Sequence, residues 1–382
     1  MNRLTITTLA LVAIATLLTQ AKAQAQACNG HASLCSKPIT QVTFAGTHNS
    51  FASAGGLGAT QFTNISTQLD QGIRLINIDI HKFNSSSGTP ELRLCHGSCA
   101  LGDNGPAISA FRTIRDFLTS PAGSREVVAV IVENAAKASY ADFANLLSTS
   151  GLTPLAYSQP PGTPSAWPTL GDMISRNKRL LLFASDLPAP PAGQPLPLVM
   201  PHFAYISETP FQLRQEADWT CALDRPRGQP RELVLVNHWL YKSVFGFDSP
   251  DAENAKTVNV ASELRTHVSR CESVRKQKIN FVLVDFYEHG DILQVVAGLN
   301  NVPYTPKPKP PIPTSASGSG GITFGVATPT PTPPAAGGSA DAAARSGTDA
   351  SSASSAPRSL PTMGTIAFIL LMVGFGILLP TL

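Results

Sequence analysis

The sequence has almost no charge excess of either sign: 28 lysines and arginines stand against 25 aspartates and glutamates, a formal net charge of +3 over 382 residues. So small an imbalance, with no basic run interleaved with aromatics, leaves no electrostatic footprint for a nucleic-acid backbone. No dinucleotide-type Gly-x-Gly-x-x-Gly, phosphate loop or Gly-x-Ser-x-Gly elbow occurs in a supporting context, so nucleotide-dependent and serine-hydrolase chemistries find no support. Ser317-Gly318-Ser319-Gly320-Gly321 sits in low-complexity sequence and reads as linker. Cys-x-x-Cys is missing too, so the six cysteines do not read as zinc ligands.

Both ends have the composition of targeting and tethering segments. Met1-Asn2-Arg3, the apolar run Leu9 to Leu18 and Ala21-Lys22-Ala23 have the three regions of a secretory signal peptide, which places cleavage near Ala23 and the leader at residues 1–23. Residues 305–351 are rich in proline, threonine, serine, glycine and alanine; such a segment buries too little apolar surface to fold and predicts an extended stalk, open to O-glycosylation. Residues 352–382 begin with small residues after Ser351 and end in the apolar run Ile366 to Leu379, with no basic residue behind it. That is the pattern of a glycosylphosphatidylinositol attachment signal, the alternative being a C-terminal membrane helix. Together the ends predict a secreted protein at the outer face of the plasma membrane or in the cell wall.

Between them, residues 24–304 suffice for a single α/β barrel. Apolar runs at Val42 to Ala45, Leu75 to Ile80, Leu92 to Cys95, Val127 to Val132, Leu180 to Ala184, Leu233 to Val236 and Phe281 to Phe286 mostly lack strict alternation, as parallel strands covered on both faces do. Ala107 to Leu118, Tyr140 to Leu147 and Ala252 to Arg270 have helical spacing. Strand and helix in turn argue for a parallel sheet or barrel. In a secreted chain six cysteines suggest disulfides; proximity favours Cys28 with Cys35 and Cys95 with Cys99, leaving Cys221 with Cys271, among about fifteen possible connectivities. Asn64-Ile65-Ser66 and Asn84-Ser85-Ser86 are N-glycosylation sequons in polar stretches.

The segment Thr43-Phe44-Ala45-Gly46-Thr47-His48-Asn49-Ser50 reads as a buried strand broken at Gly46 that presents a histidine and an asparagine. Leu92-Arg93-Leu94-Cys95-His96-Gly97 is a second apolar run ending in histidine. Two imidazoles at strand ends can serve one substrate as base and acid near neutral pH. These segments, with Gly72-Ile73-Arg74-Leu75-Ile76-Asn77-Ile78-Asp79, Val130-Ile131-Val132-Glu133-Asn134 and Asn280-Phe281-Val282-Leu283-Val284-Asp285-Phe286-Tyr287, resemble the X region of phosphatidylinositol-specific phospholipase C and related phosphodiesterases.

The resemblance implies a TIM-barrel (β/α)8-like fold with the site at the C-terminal ends of the strands. It implies His48 as base and His96 as acid, acting on an inositol phospholipid at a membrane surface, in a monomer. A substrate hydroxyl serves as nucleophile, so no serine or cysteine is needed. Calcium-dependent members hold the ion at places matched here by Asn49, Asp79 and Glu133, with Asn77 where an acid is expected; a metal-free site would take its positive charge from Arg74 or Arg93. His238 and Tyr287 are candidates for headgroup contact and Asp285 for orienting an imidazole, whereas His81, His202 and His289 read as surface or structural residues. Two alternatives remain: an idle barrel serving as a cell-surface binding or wall protein, and a phosphodiesterase for another lipid headgroup.

Overall fold

The computed structural model describes residues 26–312, apart from 54, 56–57, 85–89, 161–165, 189–195 and 245. The expected leader, the stalk beyond residue 312, the C-terminal tail, and Ser85 and Ser86 of the second sequon lie outside the described residues. Among these residues no helix is long and apolar enough to cross a membrane.

Eight strands carry the architecture: β1 (Phe44–Thr47), β2 (Leu75–Asn84), β5 (Val128–Glu133), β6 (Ala156–Tyr157), β7 (Leu180–Ala184), β9 (Ile206–Glu208), β10 (Leu233–His238) and β13 (Phe281–Val284). They pair in parallel in the order β6-β7-β5-β2-β1-β13-β10-β9. The short β8 (Met200–Pro201) adds to the free edge of β7. The sheet is not flat. Phe183 on β7 and Phe281 on β13 are four strands apart, about 19 Å in a flat sheet, yet their ring centroids are 6.3 Å apart. The sheet therefore curls into an α/β barrel, and the chain itself, through β8, a short helix (His202–Tyr205) and β9, bridges the edges that form no ladder with each other.

Side chains alternate about each strand, and two cores follow from that period of two. Phe44, Leu75, Ala129, Ile131, Leu181, Phe183, Ile206, Leu233, Leu235, Phe281 and Leu283 fill the barrel interior. Ala45, Ile76, Ile78, Val130, Val132, Leu182, Val234, Val236, Val282 and Val284 point outward beneath the helices. Each such aliphatic side chain, fully buried, contributes about 1.5–3 kcal/mol. Gly46, expected to break the first strand, lies within it. A Cβ there would meet Leu75 and Leu283 side-chain carbons at 2.6 and 2.8 Å, so the interior at this point admits only glycine.

The helices over the outward faces include Ile65–Gln71, Ala107–Thr119, Tyr140–Ser150 and Ile292–Leu299. The stretch expected as one helix from Ala252 is two, Ala252–Val258 and Ala261–Arg275, with Asn259 ending the first and Val260 extended. The run Leu92 to Cys95 is not a parallel barrel strand. It belongs to β3 (Pro90–Cys95), which pairs antiparallel with the upper part of β2 and with β4 (Asp103–Pro106). Arg93 and Glu91 interrupt its apolar residues because only one of its faces is covered. All three disulfides join the expected pairs, Cys28–Cys35, Cys95–Cys99 and Cys221–Cys271.

Residues 305–312, at the start of the expected stalk, lie along the barrel. Lys307 Nζ donates to the Asp70 carbonyl at 2.5 Å, Gln71 Nε2 to the Pro308 carbonyl at 3.1 Å and Lys309 Nζ to the Gly290 carbonyl at 2.8 Å.

Candidate active site

The period of two that fills the barrel with aliphatics brings polar side chains to its upper end. Continuing the inward positions past the last apolar layer gives His48 after Gly46, Asn77 and Asp79 after Leu75, Glu133 after Ile131, Glu208 after Ile206, Asn237 and Trp239 after Leu235, and Asp285 after Leu283. Asp79 and Glu133 are register partners on adjacent strands, so their carboxylates crowd each other.

His48 sits where β1 ends. Asn49 takes φ +41°, the left-handed region that asparagine tolerates, and stops the strand. The imidazole Nδ1 donates to Asp285 Oδ1 at 2.8 Å, since a carboxylate only accepts. The Trp239 indole stacks on the same ring, centroids 4.1 Å apart and planes within 2°. Burial disfavours the imidazolium, but Asp285, by charge and hydrogen bond, and Asp79 and Glu133, by charge, together hold the His48 pKa above its ordinary value.

His96 comes from the end of β3 and is bracketed by the Cys95–Cys99 bridge. Gly97, at φ +73°, lets the chain turn directly after it. The His96 Nδ1 donates to the Gly58 carbonyl at 2.7 Å, and Nε2 has no hydrogen-bond partner among the described residues. Burial lowers its pKa, and the charge of His48 acts in the same direction against the Gly58 hydrogen bond. The two imidazole centroids are 6.2 Å apart and the rings nearly perpendicular.

The acidic side of the mouth holds a residue that the sequence reading missed. Arg225 pairs with Glu208 (Nε to Oε1, 2.5 Å) and with Glu133 (3.3 and 3.5 Å). An isolated bridge between Glu208 and Arg225 aligns their backbones, and the guanidinium lies over the Phe211 and Phe203 rings at 4.3 and 5.4 Å. His202 is buried beside this group with no hydrogen bond to either ring nitrogen, so it is no surface residue. Burial, with Arg225 adding to it, pushes its pKa down to about 3. Burial and the Glu133 charge raise Asp79 to about 7; Glu208 is likewise raised to about 7 by burial, against the pull of Arg225.

The residues expected to hold calcium are close together but are not arranged as a set of oxygen donors. Asn77 Oδ1 accepts from the Asn49 amide nitrogen at 3.0 Å. The Asn49 amide lies between Asp79 and His48 Nε2: with its NH2 on Asp79, at 3.0 and 3.3 Å, its oxygen accepts from a protonated Nε2, whereas a neutral His48 with Nε2 free takes the NH2 at 3.3 Å and leaves the oxygen toward Asp79. Glu133 is engaged by Arg225. As arranged, the donor set does not fit a calcium ion, which requires converging oxygen lone pairs.

Four further site candidates lie outside the mouth. Arg74 lies below the mouth, at the foot of β2, where it binds Glu126 and the Leu69 and Ile73 carbonyls. Arg93 projects from the antiparallel ribbon and is committed to Glu91 and Asp103. His238 falls one position out of phase with the inward residues. It points away from the mouth, stacks on Trp219 and bonds His267 Nδ1 and the Val258 carbonyl. Tyr287 is buried in the outer core with its hydroxyl on Thr63 Oγ1. Neither side chain lines the mouth. Asn64 is exposed and caps the helix Ile65–Gln71 through its oxygen, whereas only the backbone of Asn84 is described, at the end of β2.

The PI-PLC X 1 family model matches residues 34–300. PI-PLC X domain-containing protein 1 of Arthroderma benhamiae is 32% identical over 289 residues, covering 73% of this chain and 91% of that protein. A second protein of that fungus, called an uncharacterized secreted protein, is 29% identical over 299 residues, 73% of this chain and 65% of its own length. Among solved structures, the phosphatidylinositol-specific phospholipase C of Listeria monocytogenes matches 70% of this chain and 94% of its own with a TM-score of 0.49 and 16% identity. The matched span runs from before β1 to beyond the last helix and contains both histidines of the mouth: the chain belongs to the PI-PLC X family.

Proposed function

We propose that the protein is a phosphoric diester hydrolase that splits the headgroup phosphodiester of an inositol phospholipid by two-histidine acid–base catalysis. The observation that carries this reading is the pairing of His48 and His96: each ring is tied through Nδ1, to Asp285 and to the Gly58 carbonyl, and the rings lie 6.2 Å apart. His48 Nε2 takes the proton of the inositol hydroxyl next to the phosphate. That oxygen attacks phosphorus while His96 Nε2 gives a proton to the departing lipid alkoxide, leaving a cyclic inositol phosphate. Water, giving its proton to His96, then opens the ring as His48 returns its proton to the inositol oxygen, which completes the hydrolysis and restores both imidazoles without an enzyme nucleophile. A substrate phosphate between the rings favours protonation of His96, against the lowering by burial. Secretion is supported by three disulfides and by the relative named as secreted; the C-terminal anchor is part of the same proposal.

The test is release of water-soluble inositol phosphate from phosphatidylinositol vesicles. His48→Ala and His96→Ala should each abolish release with the thermal transition retained. No release by the wild type from inositol or other phospholipids would favour the binding-barrel alternative, for which the committed Asn77 carbonyl speaks.

A further inference from the structure

We propose that Arg225 is the resident cation of this site, its guanidinium filling the carboxylate pocket of Glu133 and Glu208 in place of a divalent ion. The inference concerns cation binding and stands whether or not the barrel turns over lipid.

Three features of the geometry support it. The guanidinium reaches both carboxylates at once, through Nε to Glu208 and through both terminal nitrogens to Glu133. It is held there from the backbone side, because Glu208 N donates to the Arg225 carbonyl at 2.9 Å within the bridge that sets their register, and from the apolar side by the Phe211 and Phe203 rings. The surroundings, finally, leave few oxygen lone pairs for an ion, since the Asn77 oxygen is spent on a backbone amide.

Without the guanidinium the same pocket would suit a metal. Glu133, Glu208 and His202 bring one ligand atom each to within 4.8 Å of one another, and both His202 nitrogens are buried and unpartnered. A planar fork that spans two carboxylates is a task for arginine. It comes from the segment between β9 and β10, not from the second strand or the ribbon where Arg74 and Arg93 lie.

Calorimetric titration of the full-length protein with calcium and, separately, with manganese tests this, with circular dichroism as the check on folding. The wild type should give no saturable heat up to about millimolar ion, the weak end of protein calcium sites. Arg225→Gln should acquire a saturable site for one ion at least about tenfold tighter than that limit, and Arg225→Gln/Glu133→Gln should lose it. Saturable binding by the wild type that disappears in Glu133→Gln would overturn the proposal. So would a folded Arg225→Gln that binds neither ion, since the guanidinium would then not be what excludes a metal. Should Arg225→Gln fail to fold, Arg225→Met, which keeps the aliphatic stem over the phenyl rings, answers the same question.

Discussion

The Trp239 indole lies flat on the His48 imidazole, centroids 4.1 Å apart, while Asp285 holds the same imidazole by its edge through Nδ1. Face and edge together fix the ring plane, and Nε2, with the Asn49 amide 3.3 Å away, is the atom that faces the mouth. Trp239 is only 3% exposed, so its removal also empties core. Trp239→Ala should therefore cost about 3–5 kcal/mol of stability. Trp239→Phe keeps a ring in place and should remain folded, with inositol phosphate release reduced roughly fivefold if the stack contributes about 1 kcal/mol to orienting the base. Thermal melts and the vesicle assay on both variants separate the two effects; a Phe variant with full activity would deny the stack a positioning role.

Asp285→Asn tests the edge contact. The isosteric amide can keep a hydrogen bond to Nδ1 but supplies no charge, and it can select the wrong tautomer of His48. The expected loss of kcat is on the order of a hundredfold or more, the scale of a general base, with KM little changed because Asp285 sits behind the imidazole. Equal loss in kcat and in melting temperature would point to a structural carboxylate instead.

The barrel was legible in sequence because its strands are runs of valine, isoleucine and leucine flanked by turn residues, and six of the seven runs became barrel strands. The seventh, at Leu92, carried its own warning: Glu91 and Arg93 alternate with Leu92 and Leu94, the pattern of a strand covered on one face. Site residues were legible wherever a long run fixed the phase, as at Asp79 and Glu133. Glu208 escaped because β9 has three residues, too few to show a period. Arg225 lies between elements and is brought to the site by tertiary folding alone. Trp239, by contrast, was there to be found: it stands at the same phase as Leu235 and Asn237.

That phase also explains His238, whose pair with His267 makes a prediction about pH. Val258 accepts from His238 Nε2, so His238 Nδ1 must accept from His267 Nδ1, and both rings are neutral. Burial pushes His238 down to about 4; burial, with the charges of His238 and Arg270, pushes His267 to about 3. In the unfolded chain both titrate near about 6.5. Below that value the unfolded state binds more protons than the folded one, so stability is complete above pH 6.5 and falls as pH drops toward 4. The melting temperature should decline by several degrees between pH 7 and pH 5, about 4–8 °C per kcal/mol in a small domain and less here. Ring resonances of both histidines, followed by NMR, should show no titration above pH 5; a midpoint near 6.5 for either would refute the account.

The Cys95–Cys99 bridge separates stability from function at His96. It closes a loop of only about five residues, for which the chain-entropy contribution is about 2 kcal/mol, while Cys95 itself is fully buried at the end of β3. What the bridge fixes is the turn that aims the imidazole: His96 N donates to the Gly102 carbonyl across that loop at 3.2 Å, and Nδ1 reaches over to Gly58 at 2.7 Å. Cys95→Ala/Cys99→Ala leaves the barrel strands and His48 untouched. The double variant should melt only a few degrees lower yet lose at least about tenfold in inositol phosphate release, because a misplacement of about 1 Å in the acid outweighs the entropy of so short a loop. Cys28→Ala/Cys35→Ala, whose bridge lies ahead of β1, is the control: activity should stay at the wild-type level at temperatures where the variant is folded. Equal activity losses in the two double variants would assign both bridges to stability alone.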